Sequence, residues 1–334
     1  MAWARGNRLR WVGAADVDRW LGPQEAMAAI SQALHEHQAG RAGSAHRLID
    51  RSTQAPLALM PGHFLDTVGL KAITLVERNP ARGLPTIQGL VVLFDQSDGR
   101  LLGAVDGPSL TATRTAAIAG FATDALAARE ARSMLLVGAG AQGPKQVEAV
   151  LAVRQIQRLT IWNRSPEKAR TLAGLVAARH PGLAVEVAAE LAPAAHDADV
   201  ITLATAASLP LIDIGDVKAR CHINAMGSYQ PDRRELGSAL VAAARLYADT
   251  LEGCLAEAGD LMIPIAEGRI SAAEVHPLAT ARPDPDHPLT VMKSVGSAIF
   301  DLACARRLLR GVGGDQEDDL PPGAGAQLGL ELPA

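Results

Sequence analysis

Two cationic residues stand where the surrounding sequence would bury them. Lys71 lies inside "VGLKAITL", a run of strand-forming residues, and Arg114 interrupts "TATRTAAIAG", where its neighbours are small. A charge in such company is usually paired or functional, because stranding it in an apolar interior is costly. Arg47 in "SAHRLID" and Thr86 in "GLPTIQG" are further candidates for holding a substrate. Each has a plain alternative: Lys71 snorkelling from a strand, Arg47 exposed at an edge, Thr86 fixing a turn. Spacing along the chain does not by itself bring the four together.

A second constellation is "LLVGAGAQGPKQVEAV". Gly138, Gly140 and Gly143 complete G-x-G-x-x-G where a strand passes into a helix, the context that a dinucleotide-binding turn requires. The first glycine permits the turn, the second lets a pyrophosphate approach, and the third brings helix onto strand. With Ala141 and Gln142 they form the expected phosphate-facing loop at a helix N-terminus. A glycine-rich turn with no ligand is the alternative. At the end of the next strand, where an acid would grip the ribose of NAD, the chain reads Asn163-Arg164-Ser165. A guanidinium beside an amide and a hydroxyl suits a 2'-phosphate, so NADP(H) is expected over NAD(H). Otherwise Arg164 is a solvated residue at a helix start.

These groups need two different scaffolds. Between about 47 and 105, short apolar runs alternate with Gly, Pro, Asp and Asn, as in a mostly antiparallel sheet, with a hairpin at Asp98-Gly99. Residues 22 to 40 and 106 to 127 carry helical patterns. From 134 onward strands and helices alternate, which predicts an α/β fold with a Rossmann-type doubly wound parallel sheet. A last helix follows "LTVMK". The expected division is residues 1–115 plus helix 294–310 as an α+β substrate-binding and dimerisation domain, 116–293 as the nucleotide domain, and 311–334 as a loose Gly, Pro and acid-rich tail.

The whole chain narrows the class. Its 334 residues and 48% hydrophobic content suffice for two cores. A net charge of −4 without long single-sign runs argues against a nucleic-acid surface. Cys221, Cys254 and Cys304 match no metal spacing and are expected to be buried thiols, with no metal site. No run approaches the roughly 20 apolar residues that span a bilayer, and "MAWARGNRLRW" lacks the apolar centre of a signal peptide. A soluble cytoplasmic protein is expected.

"GLKAITL", "LPTIQGLVVLFD", "SLTATRTAAIAG", "GAGAQG", "INAMGSYQPDRREL", "GDLMIPIAEG" and "TVMKSVGSAIFDLACA" occur in this order. Together they resemble the ornithine cyclodeaminase/mu-crystallin family over about 20 to 310. The resemblance implies a homodimer built through the first domain. It also implies that Arg47, Lys71 and Arg114 hold a substrate carboxylate, with Thr86 supporting them and Ser294 near the nicotinamide. Thr205, Met226 and Gly227 complete the expected cofactor-binding set.

The family includes lyases, reductases and binding proteins. Where ornithine cyclodeaminases carry an Asp that serves ring closure, this chain has Tyr229, and a phenol with an ordinary pKa of about 10 is a poor base at neutral pH. Tyr229 is equally readable as a residue lining the pocket. "PDRREL" instead resembles mu-crystallin and the bacterial ketimine reductases. The expectation is NADPH-dependent reduction of a cyclic imine carboxylate, Δ1-pyrroline-2-carboxylate or Δ1-piperideine-2-carboxylate. A cyclodeaminase with bound NAD and a mu-crystallin-like NADPH-dependent binding protein are the rivals.

Overall fold

Two sheets divide the chain, one for each hydrophobic pattern. The computed structural model describes residues 10–311 except His46 and Glu77, so the expected tail, beyond Gly311, and the first residues lie outside the described part.

The first sheet is assembled from β1 (Trp11–Val12), β2 (Ala42–Ser44), β3 (Leu48–Asp50), β4 (Leu57–Phe64), β5 (Thr67–Leu75), β6 (Ile87–Asp95) and β7 (Leu101–Asp106). Its order is β1-β7-β6-β5-β4-β2, with β3 also on β4; only β1–β7 is parallel. Gly99, at φ +73°, turns the β6–β7 hairpin. Three of the four helices that cover one face come from this part of the chain. Helix α1 (Ala14–Trp20) precedes α2 (Pro23–Gln38), whose buried Ala26, Met27, Ile30, Ala33 and Leu34 recur at helical spacing. Helix α3 (Gly107–Leu126) starts where the Asp106 carboxylate accepts from Ser109 N at 2.8 Å.

The second sheet is wholly parallel. It comprises β8 (Ser133–Val137), β9 (Arg158–Trp162), β10 (Ala184–Val187), β11 (Val200–Leu203), β12 (Cys221–Ala225), β13 (Arg245–Ala248), β14 (Val275–Pro277) and β15 (Leu289–Lys293). The order is β10-β9-β8-β11-β12-β15-β13-β14. Connecting helices are α4 (Gly143–Leu151), α5 (Pro166–Arg179), α6 (Leu191–Asp197), α7 (Ser238–Ala243), α8 (Leu251–Glu257) and α9 (Gly259–Ala266). The winding reverses between β8 and β11, the switch point at which such sheets bind ligands.

The last helix, α10 (Ala298–Gly311), returns to the first sheet, packing on β4, β5 and α2. It begins later than position 294 because Gly296 adopts φ +75°, a left-handed turn that keeps 294–297 as a loop. A boundary at 115/116 would cut α3 in its middle. That helix is shared: Gly120 lies against Ala149 of α4, and Arg154 donates to the α3 C-terminal carbonyls of Thr123 and Ala127 at 2.9 and 2.8 Å.

Among the described residues no helix is long and apolar enough to cross a membrane, and no group of three or more His, Cys, Asp or Glu is placed to hold a metal. All three cysteines are free and buried. Burial pushes the Cys221 and Cys304 thiols up to about 12, far from reactive thiolate.

Candidate active site

Lys71 sits mid-strand on β5, between Met60 and Val91 of its neighbours, with its side chain on the face that α10 covers. It is 2% exposed, which rules out snorkelling. Its Nζ lies 3.4 Å from Asp301 Oδ1 on α10. The same oxygen accepts from Arg114 Nε at 3.1 Å. With Nε so committed, the terminal nitrogens of Arg114 lie against Gly296, where an added Cβ would stand 2.7 Å from Nη1 and 3.0 Å from Nη2. Gly296 is therefore glycine for two reasons, its left-handed backbone and the guanidinium against it.

Arg47 reaches the same loop from the other side. Its Nη2 donates to the carbonyls of Val295 and Gly296 at 3.2 and 3.4 Å and pairs with Glu257 at 2.9 Å. The Tyr229 ring centroid lies 5.9 Å from its guanidinium carbon. The loop is itself held by Asp249, whose Oδ2 accepts from Ser294 Oγ at 2.6 Å and Gly296 N at 2.9 Å. The Ser294 hydroxyl is thus spent on the loop.

Three cations, Lys71, Arg114 and Arg47, face two carboxylates, Asp301 and Glu257. The arrangement has one positive charge in excess and suits a monoanion. Burial drives the Lys71 ammonium down to about 8, opposed by Asp301 and assisted by Arg114 and Arg47. A lysine in that range gives up or takes a proton near neutral pH.

Thr86 is not brought to this group. Its carbonyl accepts from Val76 N at 2.8 Å, beyond the end of β5 and roughly 16 Å along the strand from Lys71 at about 3.3 Å per residue.

At the switch point Gly138, at φ +108°, lies so close to β11 that a Cβ would meet Ala204 O at 2.6 Å. A Cβ on Gly143 would strike Leu172 at 2.8 Å, whereas one on Gly140 would meet nothing within 4 Å. The first glycine is required by its backbone conformation and close packing, the third keeps α4 close to Leu172, and the second leaves open space for a phosphate. Ala141 is exposed, and Gln142 is the residue before α4. Asn163 ties the loops together, accepting from Ala139 N at 3.1 Å and donating to Ser165 O at 2.9 Å. Arg164 is exposed beside them. The Ser165 hydroxyl donates to Glu167 at 3.0 Å, which places an exposed carboxylate beside Ser165. These residues fit a bound dinucleotide.

The opposite wall rests on Glu235, which is fully buried. One of its oxygens accepts from Thr205 N and Oγ1 at 2.9 and 2.7 Å, the other from Gly227 N at 2.8 Å. Met226 N continues the sheet by donating to Leu203 O at 2.9 Å. Behind Glu235, Lys293 pairs with Asp260 at 2.7 Å, and Asp260 accepts from the backbone of Glu235 and Leu236. Burial pushes the Glu235 carboxyl up against the pull of Lys293. Lys293 stays above its ordinary value, since Asp260 and Glu235 outweigh its own desolvation.

The family profile described as ornithine cyclodeaminase/mu-crystallin matches residues 12–311. The chain belongs to this family. A similar member, Δ1-pyrroline-2-carboxylate reductase of Bacillus cereus, is 34% identical over 319 residues, covering 90% of this chain and 98% of that one. Among solved structures of similar fold is Thermococcus litoralis Δ1-pyrroline-2-carboxylate reductase in complex with NADH and L-proline. It has TM-score 0.85 and 28% identity, covering 90% of this chain and 97% of that one. Paracoccus denitrificans iminosuccinate reductase in complex with NAD+ has TM-score 0.86 and 29% identity, covering 92% and 97%.

In this ornithine cyclodeaminase/mu-crystallin protein, sequence reasoning missed Asp301, Glu257, Asp249 and the Glu235–Lys293–Asp260 group. Some carried a signal. Asp301 in "AIFDLACA" and Lys293 in "LTVMKSV" are charges in apolar runs, the cue that singled out Lys71. Asp249 in "LYADTL" and Glu257 in "CLAEAG" also stand among apolar residues, so the same cue was present and was overlooked.

Proposed function

We propose that the chain reduces a small cyclic 2-carboxy imine, Δ1-pyrroline-2-carboxylate or Δ1-piperideine-2-carboxylate, to proline or pipecolate, using NADPH. It is an oxidoreductase acting on carbon–nitrogen bonds, in keeping with the names of its relatives. The observation that carries the finer reading is the buried Lys71 beside Arg114 and Arg47, a proton donor next to an anion-binding pair.

Arg114, aimed by its Nε contact, and Arg47, from across the loop, hold the carboxylate with charge-assisted hydrogen bonds. Lys71 gives a proton to the imine nitrogen, directly or through a water. The protonated carbon–nitrogen bond is the better electrophile, so the proton stabilises the transition state more than the ground state. The bound nucleotide supplies the hydride. Closely packed β5, α3 and α10 exclude bulk water from the Lys71 side.

The test is loss of absorbance at 340 nm with NADPH, and separately NADH, for each imine, beside an ammonia assay with ornithine. NADPH consumption without ammonia is the expected result. Ammonia from ornithine without added cofactor would instead make the protein a cyclodeaminase. Nucleotide-dependent ligand binding with no absorbance change would make it a binding protein.

The NADPH preference is supported by Arg164 and by the absence of an acid directly after β9, where Asn163-Arg164-Ser165 stands. Arg164→Ala should weaken NADPH about 10- to 100-fold, the loss of a charged hydrogen bond, and change NADH little. An unchanged preference in a side-by-side Kd measurement would remove this part of the reading.

We also propose two domains meeting along α3 and a homodimer formed through the first sheet. The face away from the helices presents Leu59, Leu70, Leu90, Val92 and Phe94, all half-buried, with Leu48 and Leu57 exposed. An apolar sheet face of that kind is what an obligate interface covers. Leu70→Glu should turn a dimer into a monomer in light scattering; a monomeric wild-type chain would end the proposal. The free, buried thiols support a cytoplasmic location.

A further inference from the structure

We infer that Asp301 is a positioning residue of the site: from α10 it aims Lys71 and Arg114 and keeps the lysine charged for proton transfer. This rests on the reading of Lys71 as the proton donor. Asp301 is fully buried, and one of its oxygens meets both cations, Lys71 Nζ at 3.4 Å and Arg114 Nε at 3.1 Å. Its other oxygen, Oδ2, is buried with no hydrogen-bond partner among the described residues. A bridge made only for stability would engage both oxygens, since an unsatisfied one is costly. Here the contact to Lys71 is long and single, which leaves the other ammonium hydrogens for a ligand.

The charges around Lys71 make Asp301 decisive. From α3 comes Arg114 and from the segment before β3 comes Arg47, both of which disfavour a charge on Lys71, whereas Asp301 favours it. The flanking strands contribute Met60 and Val91, which are neutral. Cys304, one turn further along α10, is held as an uncharged thiol. Without Asp301, desolvation and two guanidinium groups act together to strip the proton from Lys71. The same loss would free Arg114 Nε and let its carboxylate-binding edge drift from the Gly296 loop.

The chain has five lysines, so lysine labelled with 13C at Cε gives a resolvable titration in the whole protein. In the wild type the Lys71 signal should titrate near 8. In Asp301→Asn its midpoint should fall by at least about one pH unit, the usual size of a lost neighbouring charge. The alkaline fall in kcat should shift by the same amount, and KM for the imine should rise. Asp301→Glu keeps the charge but displaces it. There Lys71 should stay charged while kcat drops about 10-fold or more from misplacement, and this variant decides the matter if Asp301→Asn does not fold.

An unchanged Lys71 midpoint in Asp301→Asn, or wild-type kcat and KM in Asp301→Glu, would overturn the inference. A wild-type chain that reduces neither imine, yet shows the shifted titration, would sink the functional reading and leave the role of Asp301 standing.

Discussion

Lys71→Met should lower kcat for imine reduction by about 100- to 10,000-fold, the range for loss of a general acid, while leaving nucleotide affinity nearly unchanged. Methionine keeps most of the length and the apolar stem of lysine, so β5 still packs against α10. The ammonium goes with its proton, and Asp301 keeps Arg114 as its cation. In the wild type the dependence on pH follows from the lowered ammonium. Reduction needs the protonated form, so its rate is full below about 8 and falls as pH rises through that value. Oxidation of the cyclic amino acid needs the free amine and should gain over the same interval. Stopped-flow rates across this range check both limbs. If Lys71→Met weakened nucleotide binding as much as turnover, the side chain would be a cofactor contact and not an acid.

The second large effect concerns stability. Glu235→Leu should destabilise the fold by about 3–5 kcal/mol, the usual consequence of removing one partner from a buried charge group. Four events coincide: Lys293 loses one of its two nearby carboxylates, and Thr205 N, Thr205 Oγ1 and Gly227 N lose their acceptor. These last three lie on the wall of the nucleotide cleft, so affinity for NAD(P)H should fall as well. Adding Lys293→Met to Glu235→Leu should destabilise the fold further, because Asp260, buried and paired with Lys293 at 2.7 Å, then loses its cation. Denaturant unfolding of the single and double variants measures the difference. A Glu235→Leu protein as stable as the wild type would show that the orphaned donors find water instead.

What was legible in the sequence was mostly local. Strand-turn-helix around Gly138, Gly140 and Gly143 is read from period and glycine spacing within one unit, and the parallel sheet follows from repeated units. Lys71 and Arg114 stood out because each contradicts its immediate neighbours. Their partner is far along the chain: Asp301 meets them only because α10 crosses β5, a contact set by tertiary packing and not by any local pattern. Thr86 shows the converse limit. The family resemblance put it in the site, yet the β5–β6 register carries it well past Lys71, and no window of sequence fixes a register. The expected start of α10 at 294 lies ahead of the observed Ala298, because the guanidinium of Arg114 and the left-handed Gly296 demand a loop.

The route of α10 sets an order of events in time. Synthesis runs from the N-terminus, and domains generally fold as they emerge. The first sheet, α3 and the glycine turn are all made before β15 and α10. Until α10 leaves the ribosome, Lys71 and Arg114 are two like charges with no carboxylate between them, on a sheet whose helical cover is incomplete. The growing chain can therefore assemble the first sheet and the glycine turn early, but it closes the parallel sheet only with β15 and becomes competent for proton transfer only once α10 is made.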